Sequence, residues 1–555
     1  MMSRRLYALF GLLATLFGMA VGHLVASLLK PDSSPVLAVG STVIDNTPAQ
    51  VKEWAIKHFE SDGFSVGPFD FGARNYDKVV LVGSVLIGVL VLAAVAGILT
   101  RKRFEIGAGM LLALVAVAGL AAVTRSGASA VDIVPSLFTA VAGVGGLWLL
   151  HRTATGQPLD PRVAASSTAG SAPKHLPPGM ADAVSHDSDA ASTSTTASGA
   201  PTRRTVLVTS GVLAGAALVF GSAGRWIGSL RARPEDVVLP GPAAGEAAPA
   251  FPTGLEEQVK GITPLRISNA DFYRVDTRLD TPVVSSDGWT LTVDGDVENE
   301  LEISFEELLD MPMVERDITL TCVSNSVGGK YVGGARWLGV PLKDVLDRAG
   351  VGSKADQILQ TDFDGMTIST PLDLATDGRE ALIVVGMNGE PLPREHGFPV
   401  RMVIPGLYGF ISATKWLTRL TLTTYAEQEA YWTKKGWGTI TPIKPSARID
   451  TPRSLTTVPA GEITIGGVAW AQNNGGVAKV QVQIDGGPWQ DAELGPDVNN
   501  VYWRQWFYTY KNAKAGSRKI AARTIDGSGE TQTAARAEPY PNGASGVHTV
   551  LFTVG

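Results

Sequence analysis

Apolar residues are distributed in two regimes. Within the first 225 positions they gather into long unbroken runs, and beyond about residue 265 they alternate with polar residues over short stretches. The runs are Leu6 to Leu29, Val79 to Leu99, Phe104 to Val123, Val131 to Leu150 and Thr205 to Gly224. Each has about 20 residues, enough for a helix to cross a hydrocarbon core roughly 30 Å thick. The pattern predicts four transmembrane helices in 1–150 with an outer loop at 30–78, and a fifth at 205–224. Arg4-Arg5, Arg101-Lys102-Arg103, Arg152 and Arg203-Arg204 all fall on one side of this array. The positive-inside rule makes that side cytoplasmic, which places the N-terminus in and everything after the fifth helix out. The expectation is a multi-pass cell-membrane protein whose first partner is the lipid bilayer.

Residues 151–204 are rich in Ser, Thr, Ala, Gly and Pro with no apolar period. They are expected to be a flexible cytoplasmic linker. The linker ends in "PTRRTVLVTSGVLAGAALVFGSAG", which looks like a twin-arginine export signal and equally fits ordinary positive flanking of a membrane helix. In the outer loop, "TPAQVKEWAIKHFES" predicts a short amphipathic helix, with Thr47 as cap and Val51, Trp54, Ala55 and Phe59 on one face. A Pro/Gly/Ala-rich tether is expected at 225–264.

From 265 to 445 strands mix with short helices and no βαβ repeat is visible, so this domain reads as α+β. "WTLTVDGDVENELEIS" predicts two strands, "SFEELLDMP" a helix with Ser304 and Glu307 spaced as a capping box, and "PLKDVLDRAG" a helix stopped by Gly350. From 446 to 555, "EITIGGVAW", "AKVQVQIDGGPWQ", "RQWFYTY" and "SRKIAARTIDGSGETQT" alternate as strands. An all-β, immunoglobulin-like sandwich fits. The fold class is therefore multi-domain: transmembrane α-helices, then an α+β domain, then a sandwich.

A net charge of −6 over 555 residues, with no basic patch, argues against nucleic acid as a partner. The single cysteine, Cys322, excludes an intrachain disulfide. It ends a β-branched strand and precedes the small-residue loop "VSNSVGGKYVGG". A lone cysteine is commonly a small buried hydrophobe; a ligand held in that loop would also account for it.

The stretches "TLTCVSN", "GARWLGVPLKDVL", "NGEPLPREHGFPVRMVIPGLYGF", "YWTKKGW" and "IKPSARI" together resemble the sulfite oxidase superfamily of molybdopterin-dependent oxidoreductases. The resemblance covers about Leu265 to Gly555, and the helices in front look like those of membrane-anchored actinobacterial members. It implies a molybdenum–molybdopterin cofactor with Cys322 as thiolate ligand to the metal. Asn325, Asp362, His396, Arg401, Gly409, Phe410 and Lys415 would contact the cofactor. A soft anionic sulfur suits a metal in a sulfur-rich shell that cycles by two electrons.

Four substrate-side residues, at three places, depart from sulfite oxidases. Ser326 and Val327 stand where arginines follow the metal-site Asn. Val275 aligns with the Arg of the strand leading into the pocket, one place after Arg274. Trp437 takes the place of the active-site Tyr. Sulfite is a dianion that needs fixed positive charge, which Arg274, Lys434 or Lys435 would have to supply. With Cys322, Trp437 and Arg274 as the catalytic set, the resemblance implies two-electron oxygen-atom transfer outside the cytoplasm on a small molecule other than sulfite, such as a sulfoxide or N-oxide. The alternatives are a sulfite dehydrogenase with a rearranged pocket and a non-catalytic scaffold retaining the fold. No Cys-x-x-Cys-His motif or second cysteine offers a further redox centre, so a quinone or a separate haem or flavin protein is expected to exchange electrons with it.

Overall fold

The computed structural model describes residues 2–47, 63–66, 69–72, 76–125, 128–157, 203–231, 236–279 and 281–555. The chain divides into two compact units, Met1–Ala232 and Arg233–Gly555.

The first unit contains helices α1 (Arg4–Leu28), α2 (Pro35–Asn46), α3 (Tyr76–Thr100), α4 (Phe104–Val123), α5 (Val134–Thr155) and α6 (Arg203–Arg231). All except α2 contain a stretch long and apolar enough to cross a membrane, by length and composition. They pack through small residues. A Cβ added to Gly11 of α1 would collide with the Ala93 carbonyl of α3, and one at Gly97 of α3 with the Tyr7 carbonyl of α1. Further along α1, Gly18 lies against Gly143 and Gly22 against Thr139, both on α5. Such crossings bring backbones close, which supplies contact where lipid removes the usual hydrophobic drive.

Three expectations change here. The outer loop contains α2, where an apolar helix was not foreseen because twelve residues are too few to span a bilayer. Thr47, expected to cap a following helix, instead terminates α2; the amphipathic stretch after it lies outside the described residues. Helix α5 runs to Thr155 and ends on Gly156 in the left-handed region, so the linker cannot begin at 151. The rest of that linker, 158–202, also lies outside the described residues. Arg203 and Arg204 open α6, which continues past residue 224 to Arg231.

The second unit begins earlier than residue 265. Residues 236–264 were expected to be a tether but are docked on the domain. Val259 and Ile262 are buried with Phe507, Phe251 sits edge-on to Tyr502, and Ala243 N–H donates to the Met313 carbonyl. Scattered apolar residues in a Pro/Gly/Ala-rich segment carry no period, yet Leu255, Val259 and Ile262 share a small core with Phe507.

One sheet contains β1 (Val314–Thr321), β2 (Val332–Pro341), β3 (Leu382–Met387) and β4 (Arg401–Val403), with Glu390–Pro391 at the edge. β1 pairs with β2, β2 with β3 and β3 with β4, all antiparallel. The other is ordered Leu301–Ser304, Thr290–Gly295, Leu417–Thr423, Gln357–Asp362, Thr367–Pro371, with only the second and third strands parallel. The capping box forms as expected, Ser304 N–H donating to Glu307 Oε2 at 2.8 Å and Glu307 N–H to Ser304 Oγ at 3.2 Å. Gly350 ends its helix with φ +69°.

The sandwich has a four-stranded sheet (Ser446–Thr451, Gly461–Trp470, Arg504–Ala513, Glu493–Leu494) and a five-stranded one (Thr457–Val458, His548–Val554, Gly516–Asp526, Val477–Ile484, Gln490–Asp491). Ile465, Val480, Trp506, Ile520 and Phe552 fill its centre. It shares the α+β core through Tyr502 and Trp503, whose hydroxyl and indole N–H both donate to the Leu265 carbonyl, at 3.0 and 2.7 Å.

Candidate active site

Cys322 follows β1 directly. Its N–H donates to the Tyr331 carbonyl (3.0 Å), so the 322–331 loop is closed at its base by the end of the β1–β2 ladder. Asn325 shapes the loop from within: its N–H donates to the Cys322 carbonyl (3.1 Å) and its Oδ1 accepts from Tyr331 N–H (2.9 Å). Gly328 has φ +83°, and a Cβ there would strike the His548 ring. The sandwich thus braces the cysteine loop.

His548 does so as a neutral base. Its Nδ1 accepts from Ile449 N–H at 3.0 Å, and burial, assisted by Arg448, lowers its pKa to about 4. The unfolded chain, with a His pKa near 6.5, binds the extra proton first as pH falls. Stability is therefore full above about 6.5 and declines toward pH 4, by up to about 3 kcal/mol from this group. His548→Gln keeps an acceptor but cannot titrate. Its urea midpoint, followed by tryptophan emission, is expected to fall less steeply than wild type between pH 7 and 4.5; identical slopes would contradict this role.

The Cys322 thiol is buried and lies 2.9 Å from Ser324 Oγ. Burial raises its pKa, while Ser324 and the charge of Lys415 oppose the rise. His396 ends a short 3-10 turn, Arg394–His396, with Nε2 3.0 Å from the Asn269 carbonyl and its ring edge-on to Phe272. Arg401 opens β4 and is buried over the Trp337 ring. Its Nη1 donates to the His396 carbonyl at 2.9 Å and its Nε to the Met402 carbonyl at 3.4 Å, and burial pushes its pKa down to about 10. Lys415 is buried too, its Nζ 2.7 Å from Asp276 Oδ2 and 3.1 Å from the Glu395 carbonyl; burial lowers its pKa to about 8 against the pull of Asp276.

Asp276 also holds Arg274, whose Nε lies 2.8 Å from Asp276 Oδ2 and whose Nη1 donates to Thr281 Oγ1. Residues 271–279 are not a strand, so alternation does not govern them: Arg274 is buried and Val275 is 41% exposed. The expectation that Val275 occupies the pocket position of an Arg therefore loses its basis. Ser326 and Lys434 are exposed, and Lys435 lies over Tyr431.

Asp362 is buried 2.6 Å from Arg278 Nη2, and its Oδ1 accepts from Asp364 and Met366 N–H. Arg278 lies over Phe363 and also reaches Asp364 at 3.0 Å. Gly409 starts the Gly409–Ser412 turn, and its Cβ direction faces the Thr321 carbonyl, next to Cys322. Phe410 then meets Trp437 at 5.6 Å between ring centroids, and Trp437 packs on Trp432 and on Tyr540 of the sandwich. Cys322, Arg401, Lys415 and Arg274 act on one another electrostatically, and the Asp362–Arg278 pair adjoins them through Asp276, which accepts from Arg278 N–H, and through the Trp416 ring shared by Arg278 and Lys415.

Sequence reasoning missed Tyr273, Asp276, Arg278, Tyr408 and His548. Burial and the Cys322 charge raise the pKa of Tyr273, with Arg401 opposing, and burial raises that of Tyr408 to about 12. Both phenols therefore stay protonated beside the cysteine. The one available signal was the clustering of aromatic and charged residues in "DFYRVDTR".

Among the described residues no group of three or more His, Cys, Asp or Glu could hold a metal ion. A metal at Cys322 must bring its other ligands with it, as a dithiolene cofactor does. Arg401, a buried guanidinium with only carbonyl acceptors assigned to it, suits an anionic group such as the cofactor's phosphate. The residues present fit a molybdenum–molybdopterin group, which Cys322 would hold at the metal and Arg401, His396 and Lys415 would hold at the pterin and phosphate.

The family of oxidoreductase molybdopterin binding domains matches residues 278–432. Mitochondrial sulfite oxidase of Rattus norvegicus is 30% identical over 51% of this chain and 60% of its own length. Inducible nitrate reductase [NADH] 1 of Glycine max is 28% identical over 45% of this chain and 35% of that protein. The crystal structure of the sulfane dehydrogenase SoxCD from Paracoccus pantotrophus aligns at a TM-score of 0.44 and 22% identity, covering 54% of this chain and 84% of that one. The chain thus spans about 60% of the rat enzyme's length. The matched domain and the likeness to sulfite oxidases agree with the thiol and the buried cations: the chain carries an oxidoreductase molybdopterin binding domain and is similar to sulfite oxidases around it.

Proposed function

We propose that the protein is a membrane-anchored molybdopterin oxidoreductase that reduces a neutral oxygenated substrate, such as a sulfoxide or N-oxide, outside the cytoplasm. The observation that carries the substrate reading is Asp276. This one carboxylate engages Arg274, the buried cation that would otherwise serve a dianion, and Lys415 beside it. Beyond Gly409 the wall is aromatic, with Phe410, Trp432 and Tyr540 each packed on Trp437. Desolvating sulfite there is unfavourable by roughly several kcal/mol, while a neutral sulfoxide can pack on the indole of Trp437. The five apolar helices and the clustered basic junctions support the anchoring and the orientation. A quinone, or a separate haem or flavin protein, would exchange the electrons.

The molybdenum cofactor, when bound, supplies two-electron oxygen-atom exchange. The chain's own residues do the rest. Cys322 holds the metal as thiolate, Arg401 and His396 hold the pterin, and Trp437 with Phe410 orients the substrate. Reducing a sulfoxide to a sulfide and water takes two electrons and two protons. The Tyr273 phenol, kept protonated, can donate a hydrogen bond to the substrate oxygen, and Lys415 Nζ, near pKa 8, can hold a proton at neutral pH.

Steady-state kinetics tests the substrate reading, with sulfite plus an artificial acceptor set against sulfoxides or N-oxides plus reduced viologen. The expected kcat/KM favours the neutral substrates by about 100-fold or more, matching the desolvation penalty. Trp437→Ala is expected to raise their KM by about 3- to 10-fold. Efficient sulfite oxidation would mean that Arg274, Lys434 or Lys435 serves the dianion after all.

A further inference from the structure

We infer that the helical unit contains a binding site for a prenylated quinone, in an apolar cleft bounded by α1, α2, α3, α4 and α5. The inference rests on the membrane reading above. The cleft opens outward, and its walls include Met19, Val39, Leu86, Leu111 and Val144. Two threonines, Thr15 and Thr139, interrupt this lining. Thr15 lines the cleft at 9% exposure, and its Oγ1 is buried without a hydrogen-bond partner. Other threonines of the bundle, Thr139 in the cleft included, satisfy themselves on the preceding turn: Thr42 donates to the Ala38 carbonyl, Thr100 to Ala96 and Thr139 to Pro135, at 2.9–3.0 Å. Thr15 has no such bond, and an unmet hydroxyl in a hydrocarbon setting is costly.

Depth selects the occupant. Thr15 lies near the middle of the 25-residue α1, so along the axis it sits about 16–20 Å from either end at 1.5 Å per residue. A phospholipid keeps its ester carbonyls at the interface, roughly 15 Å from the bilayer centre, and its acyl chains offer Thr15 no acceptor. A quinone carries ring carbonyls on a hydrophobic tail and can bring an acceptor to that depth, while an isoprenoid chain matches the branched Val/Leu walls. The chain's need for an electron partner from outside itself points the same way. The inference concerns binding at this cleft.

The test uses the full-length protein in phospholipid nanodiscs and a photoactivatable tetraprenyl naphthoquinone. Saturable labelling of α1 or α5 peptides is expected, displaced by unmodified tetraprenyl naphthoquinone and unaffected by added phospholipid. Thr15→Val is expected to weaken binding about tenfold, the worth of one hydrogen bond in an apolar site, and Thr15→Ser to restore it. Val36→Trp, which fills the cleft from α2, is expected to abolish labelling. Non-saturable labelling, equal displacement by phospholipid, or binding unchanged in both Thr15→Val and Val36→Trp would overturn the site. Release of the protein from membranes by alkaline carbonate would instead remove the membrane reading on which the site depends.

Discussion

Cys322→Ser is expected to yield a folded protein that keeps most of its pterin and loses at least about 100-fold in turnover. The fold does not need the thiol: the loop is held by the Cys322 and Asn325 backbone bonds, by Asn325 Oδ1 and by the packing of His548 on Gly328. The pterin contacts assigned to Arg401, His396 and Lys415 are untouched. What changes is the metal's own ligand, and altering even an outer partner of a metal site typically costs 10–100-fold, so the direct ligand should cost at least about that. Serine's hydroxyl is a harder donor and is not ionised near neutral pH, so it does not replace a thiolate. Pterin content, circular dichroism and steady-state rates on one preparation check this. Wild-type turnover in the serine variant would remove Cys322 from the metal.

Arg401→Met is expected to separate cofactor retention from fold stability. The guanidinium is buried with carbonyl acceptors and lies over Trp337, and its pKa is held down to about 10 by burial. In the cofactor-free chain such a charge is a liability, and a methionine of similar reach should stabilise that state by about 1–4 kcal/mol. With the cofactor present, the same change removes charge-assisted hydrogen bonds worth about 1.5–3 kcal/mol each, so retention should fall by about 10- to 100-fold or more. Higher thermal stability without cofactor together with poor pterin retention is the expected pair of results. Unchanged retention would show that the positive charge serves something else.

The elements most legible in the sequence were those whose signals are local. Five apolar runs became five long helices, Ser304 and Glu307 made their capping box, and Gly350 ended its helix, because hydropathy, caps and left-handed glycines act within a few residues. The cysteine at the end of β1 and the "HGFPVR" stretch stood out likewise, and Cys322 and Arg401 both lie near enough to Tyr273 to act on its phenol. Asp276, Tyr408 and His548 were not, since what makes each matter is a partner far away in sequence: Lys415 for Asp276, Cys322 for Tyr408, and Gly328 and Ile449 for His548. The assumed strand around Arg274 failed for a related reason. A segment pinned by Asp276 and Thr281 need not alternate, and its charged residue turned inward. Residues 236–264 misled because a Pro/Gly/Ala-rich composition resembles a tether until its separate apolar contacts are seen.

The central claim is that the Cys322 pocket holds a molybdenum–molybdopterin group, and metal analysis combined with pterin fluorescence tests it most directly. Full-length protein purified from cells that make the cofactor should contain close to one molybdenum and one pterin per chain, both falling together in Arg401→Met. In Cys322→Ser the pterin should largely remain. Stoichiometric absence of both from folded wild-type protein, prepared under conditions that load a known sulfite oxidase, would contradict the account.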